Sequence, residues 1–550
     1  MIPWNIYPRP LMQRDSFLNL NGPWDFCICE ETETPLYQET IRVPYCPQSK
    51  LSGIGRAVPQ SAVCHYRRHF SLPEGFRKDR VLLHFGAADQ EAAVWLNGRK
   101  LGSHQGGYHP FSFDITAFLQ PDNLLTLEVR DHLDDAVYPY GKQKEKRGGM
   151  WYTPVTGIWQ TVWVESVCAD YIHSLQVKQD ERGLMHLDME GTLASGTLTL
   201  SDSGESFPIL QGSCTFRPVK KHLWTPEDPY LYHFTVDMES GDRVQSYFAM
   251  RTLSTETVDG VPRLCLNGKP YFFHGLLDQG YFPDGIFTPE RPEDYEKDIL
   301  LAKSLGFSTL RKHIKIEPQV FYAACDRLGI IVFQDMVNNG RYSFLRDTAL
   351  PTVGLKRLPG ILHPAAPRMK HAFMDAMLET VQLLQGHPSI CLWTIFNEGW
   401  GQFDGNRMYA RLREMDRTRF IDTASGWFRC RQTDVFSPHI YFRPYRFRPH
   451  EKPTLLSEFG GYVKKEEGHL FNENASYGYK YFSDSESYIQ ALEKLYDAEI
   501  LPAIPEGLCG CIYTQLTDVE DELNGLVTYD RQVVKVPAER MQKIAGKLKL

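Results

Sequence analysis

Residues 271–311, YFFHGLLDQGYFPDGIFTPERPEDYEKDILLAKSLGFSTLR, decide the fold of this chain. The run YFFHG (271–275) predicts a β-strand, and PEDYEKDILLAKSLG (292–306) predicts a helix that Gly306 ends. Four apolar residues of that helix fall on one stripe: Tyr295, Ile299, Ala302 and Leu305. The run FSTLR (307–311) is again a strand. The pattern is therefore strand–helix–strand, the unit from which parallel sheets are built.

The same alternation continues to the end of the chain. Six further apolar runs complete a set of eight predicted strands: IIVFQD (330–335), SICLWTIFNE (389–398), RFIDTA (419–424), DVFSPHIY (434–441), PTLLSEF (453–459) and CGCIYTQL (509–516). Eight buried parallel strands separated by helices describe a (β/α)8 TIM barrel. We place the barrel at residues 258–550.

The residues before the barrel are typical of all-β structure. VLLHFGAADQEAAVWLNGRKLG (81–102) contains two strand-like runs, and Asn97-Gly98 suits a tight hairpin turn. We predict a jelly-roll β-sandwich at residues 1–167, resembling a sugar-binding domain. Shorter strands follow, and they favour an immunoglobulin-like β-sandwich at residues 168–257 that serves as a spacer.

Composition excludes some classes of protein. The 550 residues are 42% hydrophobic and 23% charged, which is ordinary for globular domains. A net charge of −8 provides no basic surface, so we expect no nucleic-acid partner. We see no membrane-spanning run and no export signal, and the twelve cysteines are then expected to be reduced. The prediction is a cytoplasmic protein, and assembly into homo-oligomers stays open.

Two glutamates follow apolar strands of the predicted barrel. Glu398 ends the fourth strand, and Glu458 lies near the end of the seventh. TIM barrels carry their chemistry at the C-terminal ends of the strands. Glycosidic bonds are hydrolysed by two carboxyl groups that flank the anomeric carbon. Either glutamate alone could be an ordinary ion-pair partner, but the two together predict a glycosidase.

The segments around these glutamates resemble a known family. FNEGWGQF (396–403) and LLSEFGGY (455–462) are similar to the acid/base and nucleophile segments of glycoside hydrolase family 2, which holds β-galactosidases, β-glucuronidases and β-mannosidases. Further landmarks of that family extend the resemblance over nearly the whole chain: NLNGPWDF (19–26), GIWQTVWVE (157–165), LWTPEDPYLY (223–232) and LNGKPYFFHG (266–275). The resemblance implies a retaining, double-displacement β-glycosidase with Glu398 as general acid/base and Glu458 as nucleophile.

The resemblance also implies roles for neighbouring residues. Asn397 matches an asparagine that hydrogen-bonds the substrate 2-hydroxyl, and Tyr441 resembles a tyrosine beside the nucleophile. Arg311 matches an arginine that supports the nucleophile's charge. The segment after it departs from the family pattern, since His313 follows Arg311 by two residues rather than three. His313 is either a substrate contact or a structural histidine.

Four more residues are candidates for contact with the sugar: His274, Asp278, Trp400 and Trp427. Asp278 could equally cap a turn. The basic segment 140–154 contains Trp151 and Tyr152, so it is either a solvated loop or part of a binding cleft. The acidic run DVEDE (518–522) does not have the spacing of an EF-hand, and we expect a solvated loop there. We expect no metal and no cofactor.

The sugar in the active site is not fixed by these motifs. A terminal β-galactoside is the first expectation, from the frequency of that activity in the family. β-Glucuronidases of the family carry a lysine after the eighth strand, and Leu526 stands at the corresponding distance here. This favours a neutral sugar, although Arg443, Arg446 or Arg448 could bind a carboxylate instead. The alternatives are a β-glucuronidase or β-galacturonidase of the same mechanism and a non-catalytic carbohydrate-binding protein.

Overall fold

A computed structural model describes residues 2–191, 194–352 and 366–550. Two antiparallel sheets pack around one apolar core at the N-terminal end. The six-stranded sheet contains, in spatial order, Glu39–Val43, Gly22–Glu30, Ala62–Phe70, Asn123–Arg130, Glu91–Leu96 and Arg99–Gln105. The four-stranded sheet contains Leu18–Asn19, Val162–Val167, Arg80–Phe85 and Phe111–Asp114. A short pair, Ala88–Asp89 and Gly157–Ile158, lies beside them. This arrangement is a β-sandwich.

A second pair of antiparallel sheets follows along the chain and has its own core. One sheet contains Ser174–Gln179, Met185–Glu190 and Ser213–Phe216. The other contains Ser206–Ile209, Gly196–Leu200, Tyr232–Met238 and Arg243–Phe248. We propose the jelly-roll and immunoglobulin-like classes for the two sandwiches, with boundaries near 168 and 258. The second boundary falls at the turn of a hairpin, in a sheet formed by Leu253–Val258, Val261–Leu266 and Lys269–Pro270.

The C-terminal region contains one parallel sheet of eight strands. In chain order, the first to eighth barrel strands are Phe273–Asp278, Thr309–Lys312, Ile331–Asp335, Ile390–Asn397, Phe420–Ser425, His439–Ile440, Thr454–Gly460 and Leu508–Thr514. The first strand pairs with both the second and the eighth, so the sheet curves back on itself. The predicted TIM barrel is thereby confirmed, with all eight strands in the expected order.

The sixth strand is shorter than the sequence suggests. We predicted residues 434–441, but the strand is only His439–Ile440. Pro438 interrupts the run because proline has no N–H to donate to a neighbouring strand. Hydrogen bonds still join this segment to the fifth strand, from Asp434 N to Ile421 O at 2.9 Å and from Gly426 N to Ser437 O at 2.9 Å. These bonds close the barrel.

Helices cover the outside of the barrel. The α-helices are Glu293–Ser304, Gln319–Leu328, Leu350–Thr352, Pro367–Leu384, Gly405–Met415, Ser485–Leu495, Ala503–Glu506 and Ala538–Ala545, with π-helical turns at Phe344–Ala349 and Tyr496–Ile500. Short 3-10 turns lie at Lys50–Ser52, Thr116–Phe118 and Leu133–Asp135, and a parallel strand pair joins Tyr462–Lys464 to Lys480–Phe482. Gly329 ends the second helix with a φ of 70°, a left-handed conformation that favours glycine. Among the described residues, no helix has the length and apolarity needed to cross a bilayer.

Alternation along the barrel strands decides which side chains reach the interior. Phe273 and Leu277 of the first strand pack with Ile331 and Phe333 of the third in one apolar cluster. Leu276 belongs instead to the cluster that includes the surrounding helices. Because successive side chains of a strand point to opposite faces, odd-numbered residues of the first strand face the interior. The even-numbered ones face the helices.

The second sandwich is anchored to the barrel by a tryptophan. Trp224 is fully buried, and it packs in the same cluster as Phe273 of the first barrel strand. Its indole Nε1–H donates to the carbonyl oxygen of Asp326 at 2.8 Å. Trp224 therefore stabilises this contact both by apolar packing of its ring and by the hydrogen bond from its N–H.

We predict that Trp224→Ala lowers the free energy of unfolding by about 3–5 kcal/mol, because it opens a large cavity in a close-packed interface. Thermal or urea unfolding followed by circular dichroism measures the change. Val219→Ala is the matched control, since Val219 is 87% exposed on the same sandwich and should change stability by less than about 0.5 kcal/mol. Equal effects of the two substitutions would contradict this role of Trp224.

Candidate active site

Glu398 lies immediately after the fourth barrel strand, at the C-terminal mouth. Its φ is 53°, an uncommon value for a residue with a side chain, and Gly399 continues the turn at 76°. The Glu398 N–H donates to the carbonyl of Ser425 on the fifth strand at 2.9 Å, which fixes the turn. Backbone conformations of this kind cost about 1–3 kcal/mol and cluster at active sites. The Glu398 side chain is 21% exposed, so a ligand in the mouth can reach it.

Glu458 lies in an irregular part of the seventh strand. Pairing with the eighth strand shifts register between Leu456 and Phe459, so Ser457 and Glu458 form a β-bulge. Bulges redirect side chains and are frequent beside active sites. Here the Glu458 carboxylate accepts from Arg311 Nη1 at 2.9 Å and from the Tyr441 hydroxyl at 2.5 Å. Because the bulge interrupts the alternation of side chains, sequence periodicity alone would not predict which way the Glu458 side chain points.

The charges around Glu458 favour its ionised form. Burial by itself raises the pKa of this carboxyl group, but His439, 3.5 Å away, and the Arg311 guanidinium oppose the effect of burial and lower the pKa to about 2. The hydrogen bond from Tyr441 acts in the same direction. An ionised carboxylate with little water around it has the properties of a nucleophile.

Arg311, on the second strand, connects several residues of the site. Its guanidinium donates to Asp335 Oδ1 at 3.0 Å, to Glu458 Oε1 at 2.9 Å and to Asn397 Oδ1 at 2.9 Å. Burial lowers the pKa of Arg311, but the Asp335 and Glu458 carboxylates reverse this effect and raise the pKa above its ordinary value. A planar guanidinium can donate in several directions at once, which a lysine cannot do in this geometry.

His439 is a site residue that the sequence analysis missed. Its Nδ1 lies 2.8 Å from Glu398 Oε1 and 3.5 Å from Glu458 Oε2. One ligand atom from each of these three residues lies within 4.8 Å of the other two. The sequence did contain a signal for His439. Side chains two positions apart in a strand share a face, and His439 lies two positions before Tyr441, which was already a candidate site residue.

Two carboxylates and an imidazole can also bind a metal ion. Glu458, however, already receives an N–H from Arg311 and an O–H from Tyr441. The positive charge of Arg311, 2.9 Å from Glu458 Oε1, opposes the binding of a second cation there. We therefore assign the three side chains to hydrogen bonding with one another.

Three other predicted residues lie close to Glu398 and Glu458. Asn397 directs its Oδ1 to Arg311, so its amide NH₂ is the group that can donate to a ligand. His313 reaches the site through Asp335, whose Oδ2 lies 2.7 Å from His313 Nδ1. The Trp427 ring lies edge-on to His439 with ring centroids 5.9 Å apart.

The structure places two predicted sugar contacts away from the mouth. The predicted strand 271–275 put His274 next to the C-terminal end, but the first strand is Phe273–Asp278 and His274 lies near its start. The ring nitrogens of His274 are 3.0 Å from the Gly306 carbonyl and 3.0 Å from the Tyr496 hydroxyl. Asp278 pairs with Lys312 at 2.6 Å. Both are even-numbered residues of this strand, so they face the helices rather than the barrel interior.

Trp400 packs between structural elements. Its Nε1–H donates to the Gly340 carbonyl at 2.7 Å, and its ring packs edge-to-face with Trp151 at a centroid distance of 5.1 Å. Only 3% of Trp400 is exposed. The residue therefore joins the barrel to the basic segment of the first sandwich and has no free face for a sugar.

The acidic run 518–522 is buried, and the basic segment 140–154 is buried in part, with residues 145–147 exposed. Trp151 and Tyr152 are buried, and so are Glu520 and Glu522. The Tyr152 hydroxyl donates to Glu522 Oε2 at 2.5 Å, and Thr153 N donates to Glu520 Oε1 at 3.0 Å. The expectation for 518–522 was wrong because segments of opposite charge from two parts of the chain bury each other. The N-terminal region thus forms one wall of the barrel mouth.

Comparison with known proteins agrees with this architecture. Residues 261–478 match the sequence model described as "Glycosyl hydrolases family 2, TIM barrel domain". Residues 52–163 match the one described as "Glycosyl hydrolases family 2, sugar binding domain". The chain belongs to glycoside hydrolase family 2.

Relatives within the family carry different names. A "Beta-galactosidase" of Thermoanaerobacter pseudethanolicus is 24% identical over 388 residues, covering 65% of this chain and 48% of that protein. A "Beta-glucuronidase" of Paenibacillus borealis is 23% identical over 362 residues, covering 60% of this chain and 58% of that protein. The chain thus spans about half the length of the curated relatives it matches.

Solved structures show the same fold over the whole chain. The β-glucuronidase of Ruminococcus gnavus has a TM-score of 0.77 at 17% identity, and coverage is 100% of both chains. The family 2 β-galacturonidase of Eisenbergiella tayi, bound to galacturonate, has a TM-score of 0.71 at 19% identity, again with 100% of both chains covered. At these identities the similarity establishes the fold.

We predict that Tyr441→Phe destabilises the protein in a pH-dependent manner. The folded-state pKa of Glu458 is lowered from its ordinary value of 4.5 to about 2, so this group adds stability above pH 4.5 that is lost as the pH falls toward 2. A hydrogen bond to a charged group contributes about 1.5–3 kcal/mol, and the substitution removes it. The difference in melting temperature between wild type and variant should therefore be largest near neutral pH and should shrink below pH 4.5.

Melting curves of both proteins at a series of pH values measure this difference. Tyr481→Phe is the control, because Tyr481 is 52% exposed and its hydroxyl donates only to a backbone carbonyl at Ser476. A difference for Tyr441→Phe that stays constant with pH would show that the hydroxyl does not act on the charge of Glu458.

Proposed function

We propose that this protein is a retaining, exo-acting β-glycosidase that releases a terminal β-linked sugar. The observation that carries the proposal is the pair Glu398 and Glu458, with one oxygen of each within 4.8 Å of the other. Carboxyl groups of retaining glycosidases lie about 5–5.5 Å apart, whereas inverting enzymes leave about 6.5–9.5 Å for a water molecule. The short separation supports double displacement.

Each glutamate has an environment that suits one of the two roles. In the first step, Glu458 attacks the anomeric carbon while Glu398 protonates the glycosidic oxygen, so a glycosyl–carboxylate ester forms and the bond to the leaving group breaks. In the second step, Glu398 removes a proton from water, which attacks the same carbon and frees the Glu458 carboxylate. The low pKa of Glu458 supports the nucleophile role, and the partial exposure of Glu398 supports proton exchange with a leaving group.

The surrounding residues position these groups. Arg311 bonds to both Glu458 and Asn397, so it fixes the nucleophile relative to an amide that we propose donates to the 2-hydroxyl. Tyr441 orients the other oxygen of Glu458. The wall that segment 140–154 forms at the mouth supports binding of a terminal sugar rather than an internal one. We propose a β-glycoside as the partner, and the twelve unpaired cysteines support a cytoplasmic location.

The hydrogen bonds around His439 indicate where its proton lies. Ser457 Oγ donates to the Ser437 carbonyl at 3.2 Å, and Ser425 Oγ donates to Ser457 Oγ at 2.8 Å. We infer that Ser425 Oγ accepts from His439 Nε2, 2.9 Å away, because this contact is shorter than the 3.5 Å between Nε2 and the Arg311 Nη1 donor. We propose that the ring is neutral in the first step of the reaction, so that Nδ1 accepts the hydrogen bond that the Glu398 carboxyl group donates across 2.8 Å. We propose that His439 is a positioning residue that holds the acid proton on Glu398.

A non-catalytic carbohydrate-binding protein is the alternative from another class. Such a protein has no need for a nucleophile that is kept ionised in a buried site. Buried charges are costly without compensation, and here Arg311 and Tyr441 both support that one carboxylate. This arrangement favours the enzyme.

We predict different phenotypes for the two glutamates. Glu458→Ala should remove turnover by several orders of magnitude, and azide should restore it with an α-linked product because azide attacks from the side that the nucleophile occupied. Glu398→Ala should slow substrates with poor leaving groups by about 10²–10⁴-fold and nitrophenyl glycosides far less, since the proton donor is lost. Azide rescue of Glu398→Ala should give a β-linked product. Rates and product NMR measure both effects, and exchanged phenotypes would reverse the assignment.

We predict that His439→Ala moves the basic limb of the kcat/KM profile to lower pH, because the acceptor that holds the proton on Glu398 is lost. His439→Asn keeps a polar group near the position of Nδ1 and should restore part of the wild-type profile. Measuring kcat/KM against pH with a substrate that has a poor leaving group tests this. A basic limb that moves to higher pH would show that His439 acts as a cation instead.

A further inference from the structure

Buried lysines near the barrel mouth are paired with carboxylates, with one exception. Lys312 lies 2.6 Å from Asp278, Lys315 lies 2.9 Å from Glu317, and Lys535 lies 2.6 Å from Asp518. Lys142 is also buried, with only 8% of its surface exposed. Within the described parts of the chain, no carboxylate lies within 4.0 Å of its ammonium group, and its Nζ makes no hydrogen bond.

The backbone around Lys142 is held against the barrel mouth. Tyr140 N and Gly141 N both donate to the carbonyl of Asn338, beyond the third strand, at 3.1 Å and 3.2 Å. A Cβ at Gly141 would lie 2.9 Å from the carbonyl oxygen of Ile314, beyond the second strand, and the φ of 68° also favours glycine there. The Lys142 carbonyl accepts from Tyr152 N at 2.9 Å. The position of Lys142 is therefore fixed by contacts on two sides.

The ammonium group of Lys142 lies among residues of the candidate active site. Its Nζ is 5.8 Å from the centroid of the Trp151 ring, which forms the wall of the mouth. Burial lowers the pKa of His313, and the Lys142 charge lowers it further. Burial raises the pKa of Glu522, and the same charge opposes that increase. Because His313 bonds to Asp335, the charge of Lys142 acts next to the network that supports the nucleophile.

An ammonium group on a largely buried side chain is unfavourable when no carboxylate is in ion-pair contact with it, and a bound anion reduces that cost. We propose that Lys142 binds the carboxylate of the terminal sugar and that the preferred substrate is a β-hexuronide. A hexuronide carries a carboxylate at C6, where a neutral hexose has a hydroxymethyl group. The inference rests on the proposed glycosidase function, and it makes Lys142 a residue that determines specificity.

The other cations considered for this role are less suitable. Leu526 stands at the distance after the eighth strand where β-glucuronidases of the family carry a lysine, and its side chain is fully buried in the apolar core. Arg443, Arg446 and Arg448 are exposed, as the sequence analysis expected of a solvated loop. An exposed cation gains little from an ion pair because water screens it. Lys142 is supplied by the first sandwich, so its position could not be inferred from the barrel strands.

The test compares substrates that differ only at C6: nitrophenyl β-galactoside with β-galacturonide, and β-glucoside with β-glucuronide. We expect wild type to prefer one uronide over its neutral counterpart. Truncating one partner of a buried charged pair costs about 2–5 kcal/mol, so Lys142→Met should lower kcat/KM for that uronide by about 30-fold or more. Neutral substrates should change by less than about threefold. Lys142→Arg keeps the charge and should retain most of the preference.

Lys146→Met is the matched control, because Lys146 is an exposed lysine of the same segment and should leave the uronide preference unchanged. Melting temperatures of all variants check folding. If wild type prefers neutral sugars, or if Lys142→Met slows both members of a pair equally, the inference is overturned while the glycosidase function stands.

A second measurement does not depend on turnover. Calorimetry should detect free galacturonate or glucuronate bound to wild type more tightly than galactose or glucose, and Lys142→Met should abolish the difference. If wild type hydrolyses none of the four glycosides, the proposed activity fails for these sugars, and this binding experiment still decides the role of Lys142. Equal binding of the acids and the neutral sugars would exclude it.

Discussion

The site depends on the hydrogen bonds that the buried guanidinium of Arg311 donates. Arg311 is 1% exposed and bonds to Asp335, Glu458 and Asn397, which come from the third, seventh and fourth barrel strands. Removing an arginine from water is costly unless several acceptors surround it, and a parallel barrel can supply acceptors from different strands at one height. The ion pair with Glu458 keeps a buried carboxylate charged. The hydrogen bond to Asn397, the residue before Glu398, holds the end of the fourth strand in position relative to Glu458.

Local irregularities of the backbone complete the arrangement that Arg311 organises. A regular seventh strand would alternate its side chains, and the bulge at Ser457 and Glu458 is what turns the carboxylate toward the mouth. The left-handed φ of Glu398 has the same effect after the fourth strand. His439 lies between the two carboxylates and connects them to a chain of serine hydroxyls. Regular strands thus form the barrel, and local deviations from strand geometry direct the side chains of Glu398 and Glu458.

The barrel does not form its mouth alone. Segment 140–154 of the first sandwich contacts the loop beyond the third strand through Asn338 and the loop beyond the eighth through Glu520 and Glu522. The mouth is therefore lined in part by a domain that carries neither Glu398 nor Glu458. The relatives in this family bear names for both neutral and acidic sugars. A cation contributed by the first sandwich is one way in which a common barrel could serve different sugars.

The sequence by itself determined the barrel, because apolar periodicity and glycine or proline punctuation are local properties of strands and helices. It also indicated the pair Glu398 and Glu458, since both follow apolar strands and TIM barrels use strand ends for chemistry. The sequence did not separate Asp278, which faces the helices, from Arg311, which faces the interior, because that distinction requires the register of each strand. It missed His439, although that residue lies two positions before Tyr441 in the predicted strand and alternation would have placed both on one face. The burial of Glu522 and Lys142 was decided only by tertiary structure. Tyr152 contacts Glu522 across 370 residues of chain, and the backbone next to Lys142 is held by Asn338, beyond the third barrel strand. Local sequence patterns do not predict such contacts.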